Sequence, residues 1–153
     1  MDLTRVKNLR LLLTAHFAVI AWLASLLVAS GAGESSLLLP VLIFFSTLVA
    51  FVFADLTERF ELKSFVAAIA MTLATGAAIG QYVYCLFVNE SEPGRLMAVA
   101  GLLVYPEAVL FMQRKNLRIF EQLAIFLLLE MIVAALVNTN ILFGLLLVPI
   151  MLL

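Results

Sequence analysis

Apolar runs with few charges, most about the length of a membrane-crossing helix and separated by short charged turns, constrain this chain more than any other feature. Runs of about 20 apolar residues cross the hydrocarbon of a bilayer as helix. Such runs lie at 11–29, 37–54, 64–88, 96–112 and 119–137, and a shorter one occupies 141–153. The chain is 65% apolar and only 12% charged, where soluble domains are about half apolar and a quarter charged. Charge that sparse cannot cover a water-soluble core. The expected fold is therefore all-α: a polytopic transmembrane helical bundle, one domain over 1–153, with five complete spans and a partial sixth.

The turns carry the topology. Arg5, Lys7 and Arg10 precede the first run, Arg59 and Lys63 follow the second, and Arg114, Lys115 and Arg118 follow the fourth. Only Arg95 lies in the alternate turns. Basic residues favour the cytoplasmic side, so the expected arrangement is a multi-pass inner-membrane protein with a cytoplasmic N-terminus. The basic knot Arg114, Lys115, Arg118 is the strongest determinant. The first run begins with basic residues and ends near Ala29-Ser30-Gly31, as a cleaved signal would. Its length favours retention as a helix. The sixth run spans about 20 Å as helix and ends at Leu153 without an interfacial anchor, which predicts a fragment cut inside that span.

Net charge is −1, which gives no basis for nucleic-acid binding, and the expected partners are the bilayer and other membrane proteins. One cysteine, Cys85, and one histidine, His16, leave no cysteine cluster or His-x-x-x-His pair for a metal. No glycine-rich phosphate loop is present, so no cofactor, metal or catalytic residue is assigned.

Ionisable groups at membrane depth are costly and mark positions to examine. His16 lies roughly 7 Å into the first run and Glu107 roughly as deep in the fourth, so the two are expected within reach of each other. Glu107 follows Pro106, which deprives the Leu102 carbonyl of its helical partner. Glu130 falls near midplane and is expected to face the small residues of the third run. Two readings stand for His16, Glu107 and Glu130: buried polar staples, or a proton or ion path. Gly76 and Gly80 form a small-xxx-small pair that lets helix backbones approach, either within this bundle or between two copies. The third helix is expected to be central, and the Leu- and Phe-rich second helix to face lipid.

The stretch Val109-Leu-Phe-Met-Gln-Arg-Lys-Asn-Leu-Arg-Ile-Phe-Glu-Gln-Leu123 continues into Leu127-Leu-Leu-Glu-Met-Ile-Val-Ala-Ala-Leu-Val-Asn138 and Leu142-Phe-Gly-Leu-Leu-Leu147. This order of basic turn, apolar helix, Asn-containing turn and Phe-containing helix resembles the N-terminal membrane region of TgpA-type transglutaminase-like proteins. Family members place an acidic residue closer to the basic turn than Glu121 is here, and the Cys-His-Asp domain lies outside this sequence. The resemblance implies a non-catalytic bundle that anchors a transglutaminase-like domain. A small membrane scaffold or partner subunit, similar in size and span count to cell-shape proteins of the MreD type, is the alternative. A small transporter using the intramembrane carboxylates is a third.

Overall fold

The computed structural model describes residues 3–32, 37–57, 62–88, 92–137 and 148. These form an all-α bundle of five helices: α1 (Leu3–Ala32), α2 (Leu38–Ala50), α3 (Ser64–Phe87), α4 (Glu92–Phe111) and α5 (Leu117–Val137). A single π-helical turn, Phe51–Leu56, extends α2. With that turn included, all five helices are long and apolar enough to cross a membrane. The expected partial sixth span, 141–153, lies outside the described residues except for Val148.

Several helices overrun the apolar runs. α1 starts well before residue 11, because Arg, Lys and Leu are strong helix formers whether or not they are buried. α4 opens at Glu92, so Pro93 falls in its first turn, where proline's missing N–H costs little. α5 opens at Leu117 because Asn116 caps it. The Ile119 amide donates to Asn116 Oδ1 at 2.9 Å, and the Phe120 amide to the Asn116 carbonyl at 3.1 Å. A side-chain oxygen accepting from the third helical amide is the usual way to satisfy a helix start.

α1 packs on α2, α4 and α5, while α4 also packs on α2, α3 and α5. Phe17, Ile20, Val28, Ile43, Val104 and Leu123 are among the buried side chains of the core. Phe17 and Phe120 meet at a ring separation of 5.6 Å, and Trp22 meets Phe44 at the same distance. The outward surface is strongly apolar, with Leu12, Phe45, Phe65, Leu73, Phe87 and Leu136 all exposed.

The expectation of a central third helix is overturned. Only 11% of the α3 span is buried, against 50% for α4. α3 buries Ala67, Ala78 and Cys85, positions that recur on one side of a helix at about 3.6 residues per turn. Gly76 lies nine residues, about two and a half turns, from Ala67 and so points the other way. Gly76 and Gly80 are both exposed, and a methyl group added to either would meet nothing within 4 Å. The packing face is an alanine stripe rather than the glycine pair. α2 does expose its Phe and Leu side chains, as its composition leads one to expect.

Candidate functional site

Two groups of buried charged residues stand out, one at an end of the bundle and one inside it. At the end, Lys115 is 4% exposed and Asp55 2%, and Lys115 Nζ lies 3.1 Å from Asp55 Oδ2. The ammonium also donates to the carbonyls of Phe111 and of Gln113, the latter at 3.2 Å. It lies 5.8 Å from the centre of the Phe111 ring. Phe111 is the last residue of α4, and a helix leaves its final carbonyls without intrahelical donors. Lys115 therefore serves two purposes, capping α4 and binding the end of α2.

The π turn brings Asp55 to this position. Ala54 and Asp55 are both buried in it. Thr57 closes it, donating its amide to the Val52 carbonyl at 3.1 Å and its hydroxyl to the carbonyls of Val52 and Phe53 at 3.0 Å. Burial pushes the Lys115 ammonium below the ordinary lysine range; the Asp55 carboxylate opposes that shift, and Arg10 adds to it. The Leu62 amide donates to the Met112 carbonyl at 3.4 Å. The start of α1, the end of α2 and the segment before α5 thus gather at one end of the bundle.

By sequence alone, Asp55 reads as part of a solvated loop and Lys115 as an open topological charge. Both are buried, whereas Arg114 and Arg118 are exposed. These two arginines line a cleft of about 460 Å³ with Gln113, Gln122, Met71 and Leu110. The sequence signal for the pair is the position of Asp55, directly after the apolar run and one residue past Ala54 on the buried face.

Inside the bundle, Glu107 and Glu130 are both fully buried. Each occupies a core position of its helix. On α5, Glu130 extends the buried series Ile119, Leu123, Leu127 and Met131; on α4, Glu107 lies between the buried Val104 and Phe111. The two carboxyl groups face each other and interact. Residue counting places them at different depths. Helical side chains lean toward their own N-terminus, however, so on antiparallel α4 and α5 they lean toward each other.

No third residue among the described residues donates a hydrogen bond to any of the four carboxyl oxygens. Ionised carboxylates only accept, so two of them cannot satisfy one another. The buried hydroxyls do not help, because each donates to its own helix: Thr14 to the Arg10 carbonyl at 2.9 Å, Ser25 to Trp22 at 2.8 Å and Thr47 to Ile43 at 2.7 Å.

The expected meeting of His16 with Glu107 is not made as a hydrogen bond, since no third residue donates to either Glu107 oxygen. His16 is half-buried on α1. Glu130, expected to point into the bundle towards the small residues of the third helix, is buried and interacts with Glu107 of α4.

No protein-family model, curated protein or solved structure matches the chain.

Proposed function

We propose that this chain is a non-catalytic, multi-pass bundle of the bacterial inner membrane that anchors or partners other proteins, with its N-terminus in the cytoplasm. One observation carries the reading: Arg10, Asp55 and Lys115 interact at a single end of the bundle. Arg5, Lys7, Arg10, Lys63, Arg114, Lys115 and Arg118 belong to the described segments that meet or flank this end. Basic segments favour the cytoplasmic side, so the shared end is the cytoplasmic end. The anchor of a transglutaminase-like protein is the form of this role that the 109–147 resemblance favours. A scaffold or partner subunit uses the same geometry.

Single cysteines in a Cys85→Ser background test this reading. Replacements at Lys63 and Arg114 should stay unlabelled by an impermeant thiol reagent in intact cells and label after permeabilisation. A replacement at Arg95 should label in intact cells. Labelling of position 114 from outside would reverse the orientation and remove the reading's support.

A further inference from the structure

We propose that Glu107 and Glu130 form a proton-binding site inside the bundle, the two carboxyl groups holding an exchangeable proton between them. The inference stands apart from the orientation and anchoring role above, because it rests on the interior of α4 and α5.

Both side chains are fully buried and interact with each other, and no third residue among the described residues donates to any of their four oxygens. An uncompensated charge in such surroundings is strongly disfavoured. Stabilisation must therefore come from a positive species supplied by solution.

No other charged group among the described residues hydrogen-bonds to either carboxyl. On α1 the candidates are Arg10 and His16, both half-buried. On the π extension of α2, Asp55 is paired with Lys115. α3 contains no Asp, Glu, Lys, Arg or His, and its Gln81 accepts from Tyr105 Oη at 2.9 Å. On α4, Arg95 is half-buried; on α5, Arg118 and Glu121 are exposed. None of these hydrogen-bonds either buried carboxyl.

Hard metal cations take about six or more oxygen ligands, and no cluster of three or more His, Cys, Asp or Glu side chains that could hold one occurs among the described residues. A proton needs only two oxygens. Water-borne hydronium gives its proton to one carboxylate and leaves as water. The new O–H then donates to the facing carboxylate, which converts two acceptors into a donor–acceptor pair. Exchange is favoured by position. Glu107 lies four residues, about 6 Å, from the end of α4, and Pro106 beside it removes one hydrogen bond from the intervening backbone.

Infrared spectroscopy of the whole protein in liposomes tests this. A carbonyl stretch of protonated carboxylic acid should be present at neutral pH, shift in D₂O, and lose intensity as pH is raised. It should be diminished in both E107Q and E130Q and absent in the double variant. If the double variant fails to insert, the single variants give the same reading, since an amide keeps the shape of the acid. A band that does not exchange in D₂O would overturn the proposal in favour of a sealed neutral pair. Carboxylate bands at both positions, or bands that respond to Na⁺ at fixed pH, would overturn it in favour of a metal ion.

Discussion

Asn116 shows how a single residue sets where a membrane helix begins. Its side chain accepts from the Ile119 amide, so α5 starts two residues before the apolar run does. Asn116→Ala should lower stability by about 1 kcal/mol, the usual cost of losing a helix cap, measurable as a reduced midpoint of detergent unfolding. Asn116→Asp should retain most of it. The role of Asn116 is legible in the sequence, because Asn is a preferred residue at helix starts. Asp55 is harder to read, because a carboxylate at the end of an apolar run looks like the first residue of a loop. Only the π turn and the opposing Lys115 bring it inside. Glu107 and Glu130 stand out as intramembrane candidates by depth alone. Their pairing does not, because depth counted along the axis ignores the lean of each side chain.

At the scale of elements, the five described spans are written in the hydropathy, since a run of about 20 apolar residues has few other fates, but their ends are not, because α1, α4 and α5 start before the apolar runs do. Nor are neighbour relations. In lipid, an apolar outer face and an apolar inner face read alike, so α3 carries small residues on both sides and composition alone does not say which packs. The structure selects Ala67, Ala78 and Cys85. Gly76→Leu and Gly80→Leu should therefore be tolerated, with stability unchanged or slightly raised through better helix propensity. Ala78→Leu should cost about 1–3 kcal/mol, as overpacking usually does. Thermal unfolding of the three variants in one detergent compares them directly. If Gly76→Leu or Gly80→Leu instead disrupts folding or alters oligomeric state, the exposed face of α3 has a protein neighbour.

At the scale of the whole molecule, a buried ion pair marks one end of the bundle. That end gathers the start of α1, the end of α2 and the segment between α4 and α5 around the pair, while the outer surface between the ends is apolar. This pair holds the end of α2 to the segment between α4 and α5 and thereby assembles the basic end. Burial already disfavours the charge on Lys115, so the pair's value lies in each partner requiring the other. A double-mutant cycle with Asp55→Leu, Lys115→Met and the combined variant, read by reversible unfolding in detergent, measures that requirement. Each single change leaves a buried charge alone and should cost about 3–5 kcal/mol. The combined variant should recover much of that loss, giving a coupling well above about 1 kcal/mol. Additive losses, with no recovery in the combined variant, would contradict the claim that Asp55 and Lys115 meet inside the folded protein.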